Sequence, residues 1–107
     1  MDDLEFRQRA ETAIDALKKR LYIAEETADL EVEEQNGVLN VVFEDPPGKF
    51  VITPNSPVRQ IWISALSTSF KLDWTDDGFV LAKTSEGLNK LVERLVNEHL
   101  GAEAVKL

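Results

Sequence analysis

The spacing of apolar residues changes twice along this chain, and those changes divide it. Up to Leu21 they recur every three or four positions. Phe6, Ala10, Ala13, Ile14, Leu17 and Leu21 fall on one helical stripe, with Glu11, Asp15, Lys18 and Lys19 opposite. The spacing predicts a helix over Asp3 to Ala24, capped by Asp2, with Glu5 placed for a capping box. From Leu30 to about Ala82 the apolar residues recur mainly every second position, the mark of half-buried strands. Leu30 and Val32 alternate with Asp29, Glu31 and Glu33, and Asn36-Gly37 supplies the positive-φ pair of a type I′ hairpin turn. Leu39, Val41 and Phe43 continue the buried face.

Asp45-Pro46-Pro47-Gly48 is expected to break the second strand, and Phe50 to Thr53 to resume the sheet. Pro54-Asn55-Ser56-Pro57 turns the chain again. Three further strands are predicted over Arg59–Ser64, Phe70–Thr75 and Gly78–Ala82. Thr84 or Ser85 is the expected cap of a closing helix, whose inner stripe is Leu88, Leu91, Val92 and Leu95 and whose stop is Gly101. The order α-β-β-β-β-β-β-α with short connections predicts an α+β fold, a two-layer sandwich over residues 1–107. Its antiparallel sheet of about six strands carries both helices on one face and leaves the other to solvent.

Composition narrows the chemistry. There is no cysteine, which excludes disulfides, thiolate metal sites and thiol nucleophiles. His99 is the sole histidine, and its place on the inner stripe of the last helix favours a structural role. Carboxylates spread over a small surface offer no cleft for general acid–base work, so no enzyme is expected. No run approaches 18 apolar residues, and the opening Met1-Asp2-Asp3-Leu4-Glu5 is acidic where signal and transit peptides are basic.

The charge of −8 is localised. Residues 1–45 carry thirteen acids and five bases, and no base stands between Leu21 and Gly48. Such a field repels nucleic acid and anionic membranes and attracts cations or a basic protein surface. Asp29, Glu31 and Glu33, on one face of the first strand, are spaced by roughly 6.6 Å. That is too open for a preformed cage, yet it suits loosely held hard cations with several waters each. Glu11 and Asp15, one helical turn apart, extend the surface. On the fourth strand, Ile61 and Ile63 face the helices, so Gln60, Trp62 and Ser64 face the open side. An indole left there either lies flat over its neighbours or anchors a partner. Trp74, which shares a face with Phe70 and Leu72, is assigned to the core.

Asn36-Gly37-Val38-Leu39, Phe50-Val51-Ile52, Pro57-Val58-Arg59-Gln60-Ile61-Trp62-Ile63-Ser64 and Leu72-Asp73-Trp74 together resemble the frataxin family, and its bacterial members in length and opening sequence. The resemblance covers essentially the whole chain. It implies an iron-binding regulator or iron donor, cytoplasmic and monomeric, that holds Fe²⁺/Fe³⁺ weakly and acts on the cysteine desulfurase and scaffold complex of iron–sulfur cluster assembly. Position by position it implies metal contacts at Glu11, Asp15, Glu25, Asp29, Glu31 and Glu33, and a partner surface at Gln60, Trp62 and Ser64. Lys18, Lys19, Tyr22 and Ile23 stand where bacterial relatives commonly carry acids. Thr53, Pro54 and Val58 also depart from the usual pattern. The alternative reading is an acidic interaction module, without metal, that docks on a basic partner.

Overall fold

The computed structural model describes residues Met1–Leu107. Helix α1 (Asp3–Glu25) leads into a seven-stranded antiparallel meander: β1 (Glu31–Gln35), β2 (Val38–Glu44), β3 (Pro47–Asn55), β4 (Gln60–Ala65), β5 (Thr68–Thr75), β6 (Gly78–Leu81) and β7 (Glu86–Gly87). Helix α2 (Leu88–Leu100) closes the chain. Both helices cover one face of the sheet. Their stripes, Phe6, Ala10, Ile14, Leu17 and Leu21 on α1 and Leu88, Leu91, Val92, Leu95 and Val96 on α2, meet the inward residues of β1 to β6. Every buried residue is apolar, so polar chemistry is confined to the surface.

Local signals explain most boundaries. Asp2 Oδ1 accepts the Glu5 N–H at 2.8 Å, the expected N-cap. The reciprocal half of the capping box is not made, because the Glu5 carboxylate pairs with Arg9 at 3.2 Å. Asn36 and Gly37 have φ of 54° and 80°, as the type I′ turn requires. Gly101, at φ 72°, ends α2 by donating its N–H to the Asn97 carbonyl.

Four boundaries differ from expectation. The break after β2 is shorter than four residues: Pro47 and Gly48 already pair with Glu44 and Phe43, leaving Asp45-Pro46, a cis peptide, as the turn. Pro54 and Asn55 likewise remain in β3, opposite Ile61 and Gln60, and the reversal is a 3-10 turn over Ser56–Val58. β1 starts at Glu31, which leaves Asp29 in the preceding bend. Neither Thr84 nor Ser85 caps α2. Thr84 bonds Glu86, Ser85 lies at φ 63°, and the chain adds β7 against β6 before Gly87 becomes the N-cap. The hydroxyl signal was real, but it serves the turn ahead of β7.

His99 is half-buried at the far end of α2. Its Nε2 donates to the Pro46 carbonyl at 2.7 Å, and its ring lies 4.3 Å from that of Phe43. A Cβ on Gly48 would fall 2.8 Å from His99 Cε1 and 2.7 Å from Leu66 Cδ2, so any larger residue at this point of β3 would have to push the imidazole and Leu66 aside. Trp74 rims the core: its ring meets Phe79 at 5.1 Å, with the Arg9 guanidinium 4.4 Å above it. Beyond α2 the chain folds back over the helices. Asn97 accepts from the N–H groups of Ala104 and Val105 and donates to the Val105 carbonyl, while Glu93 accepts from Leu107 N–H.

Candidate functional site: an acidic edge and an indole on the open face

The carboxylates singled out from the sequence divide by what the fold does with them. Asp15 lies between Lys18 and Lys19, each 3.3 Å away. Hydrogen bonding from Lys18, then from Lys19, holds its carboxyl below the ordinary aspartate range. Lys18 also reaches across to β1, where both oxygens of Glu34 lie within 3.3 Å, and this contact with Glu34, then that with Asp15, pushes the ammonium pKa up. The i, i+3 and i, i+4 spacings made the Asp15 pairs legible; the bond to Glu34, sixteen residues away, was not. Glu25 has a backbone duty: its Oε2 accepts the Val32 N–H at 2.6 Å and so fastens the end of α1 to β1.

Glu11, Asp29, Glu31 and Glu33 remain exposed and make no ion pair. Glu31 and Glu33 stand opposite Val42 and Asn40 on the open face. Asp29 and Glu31 meet Glu44 around a hollow of about 180 Å³. Glu11 and Asp15 border a larger groove of about 410 Å³ with Lys18 and Glu34. Nowhere do three Asp, Glu or His side chains converge as a metal-holding group. The six acids proposed as metal contacts are therefore not one site: two are engaged internally, and four offer single carboxylates to solvent. An all-oxygen donor set of this kind fits hard cations held through one carboxylate and several waters.

The second part lies on β4. Trp62 is on the open face, as the parity of Ile61 and Ile63 requires, and it is half-buried there, less free than a largely exposed indole would be. Two contacts account for this. Its Nε1 donates to Gln60 Oε1 at 2.8 Å, and the Lys71 ammonium stands 4.8 Å from the ring centroid. Gln60 in turn donates from Nε2 to Asp73 Oδ1 at 2.9 Å. Ser64 is exposed and lies between Val51 and Ser69 in register. That row runs on through Asn40 to Glu33, so the acidic edge and the indole patch share one face. Three interstrand steps separate Glu33 from Ser64, roughly 14 Å. Sequence reading found Gln60 and Trp62 but missed Lys71 and Asp73, whose part follows only from the β4–β5 register.

No helix is long and apolar enough to cross a membrane. Comparison with known proteins agrees with this architecture. A solved frataxin from Psychromonas ingrahamii superposes with a TM-score of 0.85 over 99% of this chain and 97% of its own, at 18% identity, which establishes the fold alone. Two curated relatives, each named "Iron-sulfur cluster assembly protein CyaY", come from Azotobacter vinelandii, 31% identical, and Pseudomonas fluorescens, 29% identical. Each aligns over 94 residues, 84% of this chain and 84% of the relative. The family model of the frataxin-like domain matches residues 1–102. The chain belongs to the frataxin-like family, a family of non-enzymatic proteins.

Proposed function

We propose that this chain acts in iron–sulfur cluster assembly, in the cytoplasm and as a monomer. It would dock on the cysteine desulfurase and scaffold complex through its open sheet face and carry Fe²⁺ or Fe³⁺ weakly as cargo. The observation that carries this reading is the continuity of that face, where free carboxylates at Glu31 and Glu33 share a surface with a tethered indole. The role in cluster assembly that the relatives' names carry supports it. A charged edge beside an aromatic anchor is an arrangement that steers an oppositely charged partner and then holds it.

A second reading has its own support. With Asp15 and Glu34 clamped by Lys18 and Glu25 spent on Val32, the carboxylates left free, Glu11, Asp29, Glu31 and Glu33, converge nowhere on a common point. On that reading the chain is an acidic interaction module whose charge only guides docking. Pull-down with desulfurase and scaffold, with and without Fe²⁺, separates the two, together with calorimetric titration of Fe²⁺ into the isolated protein. Weak binding of more than one ion, reduced when Asp29, Glu31 and Glu33 are changed together to amides, supports the iron reading. Docking without any iron uptake supports the interaction module. Absence of docking under either condition overturns the proposed role on the desulfurase and scaffold complex.

A further inference from the structure

Antiparallel register places Gln60 opposite Asp73 and Trp62 opposite Lys71, all four on the open face. The Gln60 amide is used at both ends. Its Oε1 accepts the indole N–H at 2.8 Å, and its Nε2 donates to Asp73 Oδ1 at 2.9 Å. Only one orientation of the amide satisfies both neighbours, since an indole N–H can only donate and an ionised carboxylate can only accept. Turned over, the amide would set two donors against each other at Trp62 and two acceptors against each other at Asp73. The carboxylate of Asp73 therefore decides which end of Gln60 meets the indole. Lys71, over the ring, restrains it from the neighbouring strand.

We propose that Asp73 is the positioning residue of the Trp62 face, acting through Gln60. It keeps the indole N–H in an internal hydrogen bond, so that a docking partner meets the ring and not the N–H. Holding the ring in one pose before contact lowers the ordering cost of association. The docking half of this inference rests on the function proposed above; the positioning half does not.

The test compares Asp73→Ala with Asp73→Asn. Both remove the charge, but asparagine keeps the acceptor. Hydrogen–deuterium exchange of the Trp62 indole N–H is read by NMR in the free protein, with the Trp74 indole as internal control. Asp73→Ala should speed Trp62 exchange about fivefold, Asp73→Asn should stay within about twofold of the parent, and Trp74 should not move. Gln60→Leu, which removes the link at both ends, should exceed the effect of Asp73→Ala. If Asp73→Ala and Asp73→Asn exchange alike, the positioning role is wrong. Affinity for the desulfurase, measured in parallel, should fall about threefold to fivefold for Asp73→Ala and be restored by Asp73→Asn. If Trp62→Ala leaves docking unchanged while the exchange pattern holds, the indole is no part of the docking surface and the docking half of this inference fails, while the positioning role stands.

Discussion

The Lys18 ammonium lies 3.2 Å from a Glu34 carboxylate oxygen and 3.3 Å from one of Asp15, so a single cation joins α1 to β1. It occupies the place between these carboxylates that a bound ion would otherwise compete for. The signs of the two shifts follow from this. Asp15, with its pKa lowered, contributes stability above its unfolded value of 3.8, lost as pH falls through the folded value. Lys18, with its pKa raised, contributes below 10.5, lost as pH rises through the folded value. Both groups are solvent-screened, so the effect on folding is small.

The effect on cation binding should be larger. Lys18→Glu with Lys19→Glu frees Asp15 and Glu34 and adds two carboxylates on the same side. Affinity for Fe²⁺ should rise at least about tenfold at low salt: the double change makes this face four charges more negative, and a single unit charge about 6 Å from a divalent ion in water is already worth roughly 1.4 kcal/mol. The gain should shrink as salt is added. Titration calorimetry at two ionic strengths checks it; unchanged affinity would mean that the helix face takes no part in holding metal.

Glu86 and Arg94 form the shortest ion pair of the molecule, two-pronged, with bonds of 2.7 and 2.8 Å. The Arg94 guanidinium holds the Glu86 carboxyl below its usual 4.5, and the pair ties β7 to α2. Sign follows as for any depressed carboxylate. The contribution is present above about pH 4.5 and disappears as pH falls through the folded value. Arg94→Met should therefore cost about 1 kcal/mol or less at pH 7, given the partial exposure of the pair, and progressively less as pH falls below 4.5. Urea melts across that range give the difference directly.

Asn97 is the hinge of the returning C-terminal segment, with three hydrogen bonds to Ala104 and Val105. Asn97→Ala should cost about 2 to 3 kcal/mol, because partly buried backbone groups lose their partners and Val105 loses its seat in the core. Denaturant melts should show a lower midpoint. Amide exchange should show Ala104 and Val105 released ahead of the sheet.

These contacts mark the boundary of what the sequence makes legible. Period and parity are local, so α1, the strands and the inward faces of Ile61 and Ile63 could be read directly, and so could the open-face position of Trp62. Turn chemistry was legible at Asn36-Gly37, where positive φ selects the residues, and ambiguous at Pro46-Pro47, since a proline can begin a strand as well as break one. What escaped depends on pairs seven to sixteen residues apart, beyond any helical or strand repeat: Lys18 with Glu34, Glu25 with Val32, Asn97 with Ala104, and Asp73 with Gln60. None has a periodic signature, and each changes what its carboxylate or amide is free to do.

Trp62 shows the consequence for energetics. Full exposure would make the indole nearly irrelevant to folding, but its bond to Gln60 and its stacking with Lys71 make it a contributor. Trp62→Ala should cost about 1 to 2 kcal/mol of stability, one hydrogen bond and a partly exposed cation–π contact, against the 3–5 kcal/mol of a core aromatic. As the anchor of a docking face, the same change should cost about 2 kcal/mol of binding, roughly thirtyfold in affinity for the desulfurase. The free carboxylates Glu31 and Glu33 should act differently. Their neutralisation should slow association at low salt and matter little at high salt, whereas the loss from Trp62→Ala should persist as faster dissociation. Binding kinetics of the two variants at two salt concentrations read both effects. A Trp62→Ala protein that folds and binds like its parent would remove the indole from the docking surface.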